Sequence, residues 1–192
     1  TTKSAVDELM RHWPKGRPIN IIERFAAHPA YIDALASTVR DVLVRLAHDL
    51  RGNPLLLFSA HGLPMKQVKQ GDPYPHEIEA CARAGAQRCA VDDWHVTYQS
   101  RVGPMAWLGP ATRDFLRARA RNRAVVAVPI SFVSDHLETL YDLDILAANA
   151  AKEAGCSVFV RAPALGTRPD FIAALASVVR ERVAAAPAAT AD

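Results

Sequence analysis

Short apolar runs, several of them β-branched, alternate along this chain with longer segments whose apolar residues recur every three or four positions, and that alternation limits the fold more than any other feature. Repeated βα units of this kind build a parallel sheet flanked by helices. "RPINIIERF" (17–25), "LLLFSA" (55–60), "WHVTYQS" (94–100), "AVVAVPI" (124–130) and "SVFVRAPA" (157–164) read as strands. The fourth is hydrophobic throughout, which places it at the centre of the sheet.

Between them, Pro29 to about Leu50 carries Ile32, Leu35, Val39, Val42, Leu43 and Leu46 on one helical face and closes at Arg51-Gly52-Asn53-Pro54. Further helices are expected from Pro75 to about Val91, Ala111 to about Arg121, within the segment ending at Gly155, and from Pro169 to about Val183. The expected architecture is α/β: a parallel four- or five-stranded open sheet flanked by helices. It occupies 17–183, behind a lead-in helical segment at 1–16 and before a flexible tail at 184–192.

The 192 residues, 50% of them hydrophobic, suffice for one domain core or two small ones. A net charge of +3, evenly scattered, does not mark a nucleic-acid binder. Cys81, Cys89 and Cys156 form no C-x-x-C pair and read as small buried hydrophobes in a reducing compartment. No apolar stretch approaches the ~20 residues of a membrane span, and a cytoplasmic protein is expected.

In a parallel sheet the strands' carboxyl ends share one edge, so the loops after three of these strands should converge on one cleft. They contribute Ser59-Ala60-His61, Gln99-Ser100-Arg101, and the stretch from Ser131 to Glu138. His61 is a neutral base or metal ligand near pH 7. Asp135, His136 and Glu138 stand at a helix start, with Asp142 one turn on, and Trp107, Met105 and Tyr98 add flat or soft apolar surface. This set suits a large planar ligand near a divalent metal. A structural alternative stands beside it: Asp135 as N-cap with Glu138 three residues later is capping-box spacing. The chain has no G-x-G-x-x-G, no G-x-x-x-x-G-K-[ST] and no G-x-S-x-G.

"LLFSAHGLP", "GDPYP", "YQSRVGPMAWLGP" and "SFVSDHLETLYDLD", in this order, closely resemble the carboxy-terminal half of the ferrochelatases, which insert ferrous iron into a porphyrin to make haem. The likeness runs from about Ile19 to Val183. It implies two similar α/β domains with the porphyrin between them, of which this chain corresponds to the second. His61 and Glu138 then match the family's catalytic and metal-site residues, Asp135, His136 and Asp142 their supports, and Trp107, with Met105, Ser100 and Tyr98, the porphyrin site. Arg101 joins as a propionate partner on charge alone.

The resemblance further implies Fe(II) as substrate and peripheral contact with the inner membrane, although no amphipathic anchor is legible here. Cysteines of the kind that hold an iron–sulfur cluster in some relatives are missing near the C-terminus, so no cluster is expected. Where many relatives extend the acidic row two turns beyond Glu138, this chain has Leu146. Which of His61 and Glu138 is base and which is ligand stays open. Two other readings stand: a cobalt or nickel chelatase acting on another tetrapyrrole, and a non-catalytic domain that binds porphyrin or metal.

Overall fold

The computed structural model describes residues 2–46, 54–130 and 132–185. In chain order these form α1 (Thr2–His12), α2 (Pro29–Arg45), β1 (Leu55–His61), α3 (Met65–Lys69), α4 (Tyr74–Arg88), β2 (Trp94–Gln99), α5 (Thr112–Arg119) and β3 (Ala124–Pro129). There follow α6 (Leu137–Leu140), a π-helical segment (Asp142–Ala147), α7 (Ala148–Glu153), β4 (Val158–Arg161) and α8 (Pro169–Ala184).

The sheet has four strands in the order β2-β1-β3-β4, every pair parallel. Its two inner strands are the most hydrophobic ones: Leu55 to Ala60 and all of β3 are buried. Strand period two then divides the core. Leu56, Phe58, Val126 and Val128 face α2, α4 and α8, whereas Leu55, Leu57 and Val125 meet Leu116, Leu143 and Ala147 on the side of α5 and the π segment. By the same alternation Ser59 and His61 point to the second side. That parity delivers His61 to the element carrying Glu138.

The Arg17–Phe25 segment, expected as a fifth strand, pairs with no strand among the described residues. Phe25 packs against the core instead, meeting Tyr31 edge-on at 5.3 Å, and Arg24 pairs with Glu77 at 2.9 Å. The helix expected before Gly155 is broken into α6, the π segment and α7, with Leu146 N–H bonding back five residues to Tyr141 O at 3.0 Å. The loop after β1 also holds the short helix α3, which apolar periodicity does not mark. The Arg51–Asn53 turn, Ser131 and the tail from 186 lie outside the described residues. No helix among the described residues is long and apolar enough to cross a membrane.

Burial sets a pH limit on this core. Cys81 is 2% exposed, and burial pushes its thiol from 9.0 to about 12, while burial raises the Tyr31 phenol as well. The unfolded chain ionises first, so the stability is complete below pH 9 and is lost as pH rises toward 12. We expect the melting temperature to fall progressively between pH 9 and 11. Cys81→Ala should make the pH slope of unfolding free energy shallower by about 1.4 kcal/mol per unit, one proton's worth.

Candidate functional site

β1 delivers His61 to the carboxyl edge of the sheet, opposite Gln99 at the end of β2. The chain then turns sharply: Gly62 N–H donates to Gln99 O at 2.8 Å, Met65 N–H to Ala106 O at 2.9 Å, and Leu108 N–H to Leu63 O at 2.8 Å. The loops after β1 and β2 are thereby stapled together, with Trp107 laid against Gly62. A Cβ on Gly62 would stand 2.7 Å from Gln99 O and 3.3 Å from Trp107 Cε3. Gly62→Ala is therefore expected to destabilise the fold by about 1–3 kcal/mol, the range for overpacking, and to move His61. Chemical denaturation checks the first effect, and the NMR chemical shifts of the His61 ring check the second.

Glu138 arrives from the other side. Its backbone N–H is capped by His136 Nδ1 at 3.1 Å, and Thr139 Oγ1 returns the favour by accepting from His136 N–H at 3.0 Å. The capping box is thus His136/Thr139 and not Asp135/Glu138, which corrects the structural alternative and leaves the Glu138 carboxylate for another partner. It meets His61, with Oε2 2.8 Å from Nδ1. The two side chains are 45% and 33% exposed, so the pair is open to a ligand yet partly shielded from water.

A buried polar set underlies this pair. Gln99, 6% exposed, donates from Nε2 to Glu138 O at 2.6 Å and accepts at Oε1 from Ser59 Oγ at 2.6 Å. Behind it the hydroxyls of Ser59, Thr112 and Thr97 form a chain with 3.0 Å steps. Ser100 takes a left-handed φ of 59°, uncommon for a residue with a side chain, and donates to Asp142 Oδ2 at 2.6 Å. Asp135 accepts from Thr139 Oγ1 at 3.1 Å and from Arg161 at 2.8 Å. Tyr74 OH donates to His61 O at 3.1 Å, and Phe132 packs edge-on against His136 with ring centroids 4.6 Å apart.

His61 opens into a cavity of about 950 Å³ whose walls include Gly62, Leu63, Tyr74, Phe132 and Val6 of α1. Met105 stands 54% exposed beside a neighbouring cavity of about 720 Å³ with Pro64, Met65 and Ala106. Trp107 lies between the stapled loops, its buried indole Nε1 without a hydrogen-bond partner. Arg101 is exposed and donates to Leu108 O at 2.8 Å. Tyr98 departs from expectation: it is 6% exposed in the core, with burial pushing its phenol up to about 12, and offers no face to a ligand. Period two explains this, since Tyr98 points opposite to Thr97 and Gln99.

Among the described residues, no three His, Cys, Asp or Glu side chains converge as a metal site. Gln99, Tyr74, Phe132 and Arg161 are the site residues that reading the sequence did not single out. For Gln99 the parallel register was the available signal, because it places the last residue of one strand beside the last of the next.

An open parallel α/β sheet with a histidine–carboxylate pair at its carboxyl edge, above a wide cleft, is the class these elements define. A model of the ferrochelatase family matches residues 1–183, and the chain belongs to that family. It is 40% identical over 185 residues to a ferrochelatase of Geotalea daltonii, covering 94% of this chain and 57% of that protein. It is 46% identical over 150 residues to one of Caulobacter vibrioides, covering 76% and 43%, and 38% identical over 189 residues to a mitochondrial ferrochelatase of Xenopus laevis, covering 93% and 46%. The chain spans about half the length of these relatives.

Proposed function

We propose that the full-length protein inserts ferrous iron into protoporphyrin IX to form protohaem, with this chain supplying the carboxy-terminal domain and the His61–Glu138 site. Family membership and the names of the relatives support metal insertion into a porphyrin. The observation that carries the role of the two residues is the 2.8 Å contact between His61 Nδ1 and Glu138 Oε2 at the mouth of the cleft.

Metal insertion requires two pyrrole N–H protons to leave as the divalent ion enters, so a proton acceptor must stand beside weak metal ligands. A carboxylate on Nδ1 holds the imidazole in the tautomer with its lone pair on Nε2, and it stabilises the imidazolium once that nitrogen takes a proton. Imidazole and carboxylate also suit Fe(II), which enters as substrate. Asp135 and His136 set the turn that aims Glu138, and Asp142 continues the acidic face.

Trp107, Met105, Ser100 and Arg101 form the porphyrin wall on this domain, Arg101 turning to a propionate. The other wall belongs to the half of the relatives that this chain does not span. Alone, the chain is accordingly expected to bind porphyrin without turnover. No resident cofactor takes part.

The test is loss of free-base porphyrin fluorescence under anaerobic conditions, with Fe(II), Co(II) and Ni(II) offered in turn to the full-length protein and to this chain. Insertion of Fe(II) by the full-length protein supports the reading. Insertion of Co(II) or Ni(II) only would replace iron as the substrate, and porphyrin binding without insertion of any metal would reduce the site to a binding one.

A further inference from the structure

We propose that Arg161 is a positioning residue for the His61–Glu138 pair, holding from β4 both ends of the turn on which Glu138 and Asp142 stand; this rests on the metal-insertion reading above. Arg161 ends β4 on the same sheet side as Phe159, which packs with Leu143 and Ala147 of the π segment. Its guanidinium is 12% exposed and grips Asp144 with two bonds, Nε to Oδ1 at 2.6 Å and Nη2 to Oδ2 at 2.9 Å. The third arm, Nη1, donates to Asp135 Oδ1 at 2.8 Å.

These contacts continue to the site. Asp135 Oδ1 also accepts from Thr139 Oγ1, which accepts from His136 N–H, and His136 Nδ1 accepts from the N–H of Glu138. One guanidinium therefore holds the carboxylate before α6 and the carboxylate inside the π segment, nine residues apart in the chain. The segment needs such a brace, because α6 is a single turn of four residues and π-helical turns are rarely stable by themselves. A planar fork serves both carboxylates at once, which a lysine ammonium cannot do with the same geometry. Hydrogen bonding to Asp144, with support from Asp135, keeps the guanidinium more firmly protonated than usual.

Arg161→Met and Arg161→Lys in the full-length protein test this. Asp135 and Asp144 are 43% and 38% exposed, so water can solvate them after the guanidinium is removed, and both variants are expected to fold. In Arg161→Met, amide exchange in peptides covering 135–147 should rise about tenfold or more while β1 and β3 stay protected. The kcat/KM for Fe(II) should fall about 10²-fold, the scale for a misplacement near 1 Å, with porphyrin affinity unchanged. Arg161→Lys should fall between Met and wild type.

Unchanged exchange in Arg161→Met would overturn the brace. Faster exchange with wild-type turnover would overturn its part in the reaction, and a wild-type rate in Arg161→Lys would overturn the two-ended fork. If the wild type itself inserts no metal, the reading of the function fails, while the exchange result still decides the brace.

Discussion

Replacing His61 with alanine in the full-length protein is expected to lower the rate of metal insertion by about 10²–10⁴-fold, the usual contribution of a positioned proton acceptor. The fold should survive, because the His61 side chain is 45% exposed and stands at the end of its strand, outside both apolar clusters. Porphyrin affinity should change little, since the proposed wall of Trp107 and Met105 is untouched. Fluorescence quenching measures binding and its time course with Fe(II) measures insertion, so the two effects separate. Loss of binding in parallel with loss of turnover would instead make His61 a porphyrin contact, and an undiminished rate would remove it from the chemistry.

The second large effect is expected at Gln99, which touches no ligand. Gln99→Leu keeps the side chain's approximate volume but strips the donor from Glu138 O and the acceptor from Ser59 Oγ. Stripping the donor from Glu138 O costs about 1–3 kcal/mol of stability, whereas Ser59 Oγ keeps Thr112 Oγ1 at 3.0 Å. The backbone at Glu138 then loses the bond that ties it to the sheet. Turnover should fall by about tenfold to a hundredfold, in line with small displacements of a positioned group. Gln99→Glu at a pH that ionises it is expected to be worse than leucine, because it sets a carboxylate against a carbonyl. Denaturation midpoints and initial rates measured on the same samples decide whether stability and rate fall together. A Gln99→Leu protein with both unchanged would mean that the Ser59-Gln99-Glu138 link is dispensable.

The two predictions differ in what foretold them. His61 was visible because it follows the apolar run Leu55–Phe58 by three residues, where the chain leaves the strand at the sheet edge, and Glu138 because it follows a polar loop at a helix start. Their mutual contact was visible only as convergence of loops, since sequence periodicity names an edge but no distance. Gln99 passed as one polar residue of a loop; only when β2 is laid beside β1, with His61 opposite Gln99, does its amide acquire partners 39 and 40 residues away. Arg161 acquires its partners only from the fold, which brings Asp135 and Asp144 to it.

The lost fifth strand has a similar origin. Ile19, Ile21, Ile22 and Phe25 satisfy β propensity, but a strand exists only where a neighbour offers its backbone, and no described strand does so here. Composition measures the tendency to be buried, which Phe25 meets by packing on Tyr31 of α2 without any strand pairing.

By itself, the sequence determined the four strands that form the sheet, its parallel sense, the central place of the Ala124–Pro129 strand and the edge on which the polar loops meet. These follow from local periodicity and from the rule that a strand–helix–strand unit returns parallel. The tertiary structure alone decided that His136 rather than Asp135 caps α6, that the following helix opens into a π segment, and that Glu138 turns to His61 at 2.8 Å. The cap itself is local, but the stretch that carries it is met by groups distant in sequence, the Gln99 amide at Glu138 O, the Ser100 hydroxyl at Asp142 and the Arg161 guanidinium at Asp135, which only the assembled sheet brings there.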